Sequence, residues 1–177
     1  KDDTAFIATS VRDVKRLENY AGLTKDSRLL DWGCGAGRLA VGVKVHLDGI
    51  ADYHGVDVQP ELIEWADANL AGPGFRFTCV DVSNERYNPD GTPERTLAAE
   101  PCSVDVFYAY SVFSHMNDED TPAYLKLIRE KSKEPVKILG HAENYAKFFH
   151  AATGKKVTVD DIILMSEKVY NFQRIFN

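Results

Sequence analysis

Cysteine is scarce in this chain: Cys34, Cys79 and Cys102 are the only three among 177 residues. An odd number without metal-ligand spacing argues against a disulfide framework and a zinc site, and no metal is expected; a reducing, cytoplasmic setting fits best. Long apolar runs are missing too. None approaches the roughly 20 residues needed to cross a bilayer, and the first residues lack the charged-then-apolar order of a secretory signal, so no membrane partner is expected. Positive charge is also short, with 21 Lys and Arg against 27 Asp and Glu and a net charge of −6. Nucleic-acid affinity rests on basic residues that neutralise phosphates, so a nucleic-acid partner is disfavoured. Repeats and low-complexity tracts are absent. What remains is 44% apolar and 27% charged residues, the composition of a globular protein with a real core. The length suits one α/β domain with a small appendage. The start at Lys1 and the stop at Phe176-Asn177 read as the ends of an excised segment.

Along the chain, Val11, Val14, Leu17 and Ala21 recur at helical spacing and predict an amphipathic lead-in helix. An apolar burst, Arg28 to Trp32, then enters Gly33-Cys34-Gly35-Ala36-Gly37, after which Arg38 to Leu47 can continue as a helix. The pattern repeats: Tyr53 to Asp57 reads as a strand, and Pro60 can open a helix running to Leu70. Phe75 to Val80 alternates as a third strand, and 83–103 is a long polar connection. Val104 to Tyr110 makes a fourth strand and Asp118 to Lys131 a helix with Tyr124, Leu127 and Ile128 on one face. Strands alternating with helices imply a parallel sheet with right-handed crossovers. Beyond about Lys133 this rhythm stops, apart from a short strand-like Pro135 to Leu139, and two helices follow, Glu143 to Ala152 and one starting near Thr158. The expected domains are therefore 1–133 and a helical appendage, 134–177.

A glycine turn between strand and helix lets backbone approach a ligand and presents free helix N–H groups, although a glycine triplet alone also describes a plain tight turn. The spacing here is G-x-G-x-G at Gly33, Gly35 and Gly37, and a dinucleotide fingerprint would want glycine where Arg38 stands. Asp31, just before the turn, attracts a positively charged ligand group and repels a pyrophosphate. Asp57 ends the second strand, where a carboxylate can accept both ribose hydroxyls. Asp81 ends the third, placed either to read an adenine amino group while Val82 packs on the ring, or as an ordinary loop aspartate.

Leu29-Leu30-Asp31-Trp32-Gly33-Cys34-Gly35-Ala36-Gly37-Arg38, Gly55-Val56-Asp57, Val80-Asp81-Val82 and Tyr108 to Met116 occur in the order found in class I S-adenosylmethionine-dependent methyltransferases. The resemblance spans roughly residues 5 to 130. It implies a Rossmann-like three-layer α/β sandwich with a mostly parallel sheet, truncated after the fourth or fifth strand and followed by C-terminal helices. It also implies S-adenosylmethionine as cofactor, held by Asp31, Gly33, Cys34, Gly35, Gly37, Arg38, Asp57, Val58, Asp81, Val82, Tyr110 and Ser111. His115, just past the fourth strand, is the candidate general base, with a helix cap as its alternative role. The Asn/Asp-Pro-Pro-aromatic signature of many nucleic-acid and protein amine methyltransferases is absent, Tyr110-Ser111-Val112-Phe113 standing in its place, which favours a small-molecule or glycan acceptor.

The family's fifth strand and antiparallel terminal pair are not visible. Phe149 to Gly154, Val157 to Asp161 and Tyr170 to Asn177 instead resemble part of the helical region of tungsten-dependent aldehyde ferredoxin oxidoreductases, over about 138–177. No cysteine follows Cys102, so no redox activity is implied. Two unrelated resemblances in one chain suggest a chimera, and with it the alternative of a non-catalytic scaffold that keeps the cofactor-binding fold. A nicotinamide enzyme is the other rival, disfavoured by Arg38.

Overall fold

A computed structural model describes residues 3–113, 116 and 120–133 of the chain. Helix α1, Asp3–Ala21, begins earlier than its apolar stripe predicts. Its first turns are held partly by polar groups that a hydrophobic pattern cannot reveal: Ser10 is buried and its hydroxyl donates to the Ile7 carbonyl at 2.8 Å. The helix crosses α2, Arg38–Leu47, where Gly42 has no side chain; a Cβ there would stand 2.5 Å from the Ser10 carbonyl oxygen.

Strands β1, Arg28–Trp32, β2, Asp52–Asp57, β3, Phe75–Cys79, and β4, Val106–Ala109, form a sheet in the order β3-β2-β1-β4. Every pairing in it is parallel. Helix α3, Pro60–Leu70, joins β2 to β3 and does begin at proline, whose missing N–H costs nothing in a first turn. Helix α4, Asp120–Lys131, follows β4. The fourth strand is shorter than predicted because Val104 makes an isolated bridge with Ser132 instead of joining the ladder.

Period-two alternation divides the core. Leu29, Tyr53, Phe75 and Val106 face Val14, Leu39 and Val43 of α1 and α2. Leu30, Trp32 and Val56 face the other way, onto Tyr124 and Ile128 of α4 and onto Leu97 from the 83–103 connection. Helices therefore cover both faces of a parallel sheet, as such sheets require. Among the described residues no helix is long and apolar enough to cross a membrane. The predicted short strand at 135–139, both terminal helices and the appendage 134–177 lie outside the described residues.

Candidate functional site

The strand order reverses at β1, with β2 on one side and β4 on the other. In open α/β sheets ligands bind in the crevice outside the carboxyl ends of strands at such a point. A cavity of about 290 Å³ lies there, lined among others by Gly33, Gly35, Asp57, Val58, Val82, Tyr110 and Ser111. Seven residues singled out from the sequence thus share one concave surface.

The glycine turn follows from what crowds it. Gly33, at φ 75°, passes so close to Val112 that a Cβ would sit 2.5 Å from its Cγ2. Gly35, at φ 55°, has open space beside it, the nearest atom to a built Cβ being Leu62 Cδ1 at 4.0 Å. Its backbone N–H donates to Asp57 Oδ2 at 2.8 Å, and that of Gln59 donates to Asp57 Oδ1 at 3.1 Å. Two amides hold a buried carboxylate in place, and with about four acceptor positions it keeps capacity for a ligand's hydroxyls.

Other predicted residues sit behind or beside the cavity rather than on its surface. Asp31 is buried on the α1/α2 side of the sheet, where the Tyr53 hydroxyl donates to it. Burial raises its pKa to about 7, against the opposing pull of the Tyr53 hydrogen bond and the Arg38 charge, while Asp57 adds to the rise. Burial likewise pushes the Cys34 thiol up, and the charges of Asp31 and Asp57 add to it, which favours the neutral thiol over the thiolate. Gly37 is the N-cap of α2, and Arg38, the first residue of that helix, turns toward α1 and donates to Asp13 at 2.7 Å. Asp81 is exposed and accepts from Asn88 Nδ2 at 3.1 Å. His115 lies outside the described residues.

Sequence patterning missed several lining residues: Trp32, Gln59, Tyr87, Met116, Asp120 and Tyr124. Trp32 was legible in part, since it alternates with Asp31 and so faces the α4 side, where its ring meets Tyr124 at 4.5 Å between centroids. Tyr87 sits in a turn closed by Asn84, whose side-chain oxygen accepts from the amides of Arg86 and Tyr87. That is local Asx chemistry without periodicity.

Residues 30–134, more than half of the chain, match the methyltransferase-domain family. Residues 127–177 match domains 2 and 3 of aldehyde ferredoxin oxidoreductase. Among solved structures, the YcgJ protein of Bacillus subtilis is similar at 20% identity and TM-score 0.51, covering 72% of this chain and 47% of its own. Coclaurine N-methyltransferase, bound to N-methylheliamine and S-adenosylhomocysteine, is similar at 18% identity and TM-score 0.51, covering 71% of this chain and 33% of its own. The [4+2]-cyclase SpnF is similar at 22% identity and TM-score 0.50, covering 70% and 41%. The chain spans under half the length of each of these proteins. At such identities the likeness concerns the fold, and the fold agrees with the match over 30–134: this chain belongs to the methyltransferase-domain family.

Proposed function

We propose that the chain binds S-adenosylmethionine in the cavity at the ends of β1, β2 and β4 and transfers its methyl group to a small-molecule or glycan acceptor. The observation that carries this reading is Asp57, buried, held by two backbone amides and lining the cavity. A carboxylate so placed suits a ribose diol. None of the described lining residues is lysine, arginine or histidine, which suits a sulfonium ligand and would leave a diphosphate without a counter-charge. When bound, the cofactor supplies an electrophilic methyl carbon.

Each residue of the chain then has a defined task. Gly33 and Gly35 let the backbone approach the ligand, Asp57 accepts from the ribose, and Val58 and Val82 offer apolar contact to the adenine. Asp81 keeps Oδ2, beyond the oxygen bonded to Asn88, for the adenine amino group. Asp31 acts at one remove, setting the field behind the glycine turn with Cys34, Gly37 and Arg38 around it. Tyr110 and Ser111 wall the cavity, while Trp32, Tyr124 and Asp120 shape the surface left for an acceptor. Alignment of the two reactants is the main catalytic resource for such a displacement, on the order of 7 to 11 kcal/mol in well-oriented cases. His115 is the base in this reading, and His115→Ala tests that role alone. The free thiols support a reducing, cytoplasmic setting.

One observation favours a second reading. The match to an aldehyde ferredoxin oxidoreductase over 127–177, beside the methyltransferase match over 30–134, supports a chimera, and with it a scaffold that keeps the fold without the reaction. A [4+2]-cyclase among the similar folds also supports keeping reaction and fold apart. Calorimetric titration with S-adenosylmethionine, S-adenosylhomocysteine and NAD separates these readings. Saturable binding of the first two alone, weakened at least tenfold by Asp57→Ala, is the expected result; a folded chain that binds neither makes it a scaffold.

A further inference from the structure

Arg38 does more than interrupt a dinucleotide motif. Its Nη1 donates to Asp13 Oδ2 of α1 at 2.7 Å and its Nη2 to the Tyr108 hydroxyl of β4 at 3.3 Å. That hydroxyl donates in turn to the same Asp13 oxygen at 3.2 Å, closing a triangle across α1, α2 and β4. The guanidinium also lies over the ring of Tyr110, 5.0 Å from its centroid. Tyr110 stacks on Tyr108 within 9° of parallel, at 6.4 Å.

Tyr110 lines the cavity yet is 62% exposed, so burial does little to hold its ring in place. The aromatic stack and the cation above the ring supply what burial does not. Asp13 is itself buried, and Arg12 and Arg16 stand 3.5 Å from its other oxygen, so countering its charge does not depend on Arg38 alone. What Arg38 adds is a planar group that can hold Asp13, Tyr108 and the Tyr110 face together, which a lysine ammonium cannot do.

We propose that Asp13, acting through Arg38, is a positioning residue for Tyr110, so that helix α1 sets ligand affinity in the cavity although Asp13 does not line it. The inference rests on the cofactor reading above. S-adenosylhomocysteine affinity is measured by calorimetry for the whole chain, for Asp13→Asn, Arg38→Lys and Tyr110→Leu, and for each of the first two combined with Tyr110→Leu. Asp13→Asn and Arg38→Lys should each weaken binding about three- to fivefold, the range of an exposed cation–π contact. In the Tyr110→Leu background the same changes should alter it less than twofold. Equal losses in both backgrounds, or none in either, overturn the proposal while leaving the cofactor reading intact; a folded parent chain that binds no S-adenosylhomocysteine overturns both. Because Asp13→Asn can also unfold the chain, amide hydrogen exchange over residues 108–113 of the unliganded Arg38→Lys protein gives a second readout. Faster exchange there than in the parent is expected, and unchanged exchange counts against the proposal.

Discussion

The Tyr53 hydroxyl donates to the Asp31 carboxylate inside the sheet, and both residues are buried. Two neighbouring strands thus exchange a polar contact one layer behind the glycine turn. Burial raises the Asp31 pKa from 3.8 to about 7. The folded state therefore holds the proton more tightly than the unfolded state. Its stabilising contribution is full below about pH 3.8 and is lost as pH rises through about 7. Urea denaturation at pH 5 and pH 8 should show Asp31→Asn gaining on the parent chain at the higher pH. The gain is a few kcal/mol, at about 1.4 per pKa unit. A constant difference between the two proteins would show that Asp31 does not titrate in this range.

His54 pushes the other way. It is buried on the opposite face of β2, its Nε2 lies 2.8 Å from the Thr78 hydroxyl, and its Nδ1 has no hydrogen-bond partner among the described residues. Burial lowers its pKa from 6.5 to about 4, and nearby Arg76 adds to the shift. Its contribution to stability is present above pH 6.5 and is lost as pH falls through about 4. Relative to His54→Leu, the parent chain should lose stability between pH 7 and pH 4.5, read from denaturant midpoints. Parallel midpoints would refute the assignment.

Gly33→Ala should damage fold and cavity together. The added methyl meets Val112 Cγ2 at 2.5 Å, on backbone at φ 75° that side chains rarely adopt. Strain and overpacking together should cost about 2–4 kcal/mol. Thermal unfolding of this variant against Gly22→Ala, where the backbone is at a similar φ of 71° but the space is open, separates the steric part.

Fluorescence offers a direct view of the cavity. Of the two tryptophans, Trp32 is 5% exposed and lines it, while Trp65 is 51% exposed on α3. Trp65→Phe should leave a blue-shifted emission that changes on titration with S-adenosylhomocysteine. The reciprocal Trp32→Phe protein should emit at longer wavelength and respond weakly. A similar response from both would remove Trp32 from the binding surface.

The division between sequence and tertiary structure follows from the range over which each signal acts. Strand alternation, helical spacing and the glycine turn are local, so β1 to β3, α2 and α3 could be read within a residue or two, and with them the turn that places Gly33, Gly35 and Asp57. The start of α1 and the start of β4 were not legible in this way. They depend on Ser10 meeting Gly42 and on Val104 leaving the ladder for Ser132, contacts between residues distant in sequence.

The same distinction holds at the site. Residue type and order alone pointed to a carboxylate at each strand end, but Asp31, Asp57 and Asp81 have different surroundings. Alternation turns Asp31 toward the α1/α2 layer and Tyr53, two amides aim Asp57 at the cavity, and Asn88 engages Asp81 beside it. Sequence by itself determined which groups stand near the crevice, because strand ends are set by local pattern. Only the tertiary structure decided which of them face it, because a side chain's solvation and partners come from other elements of the fold.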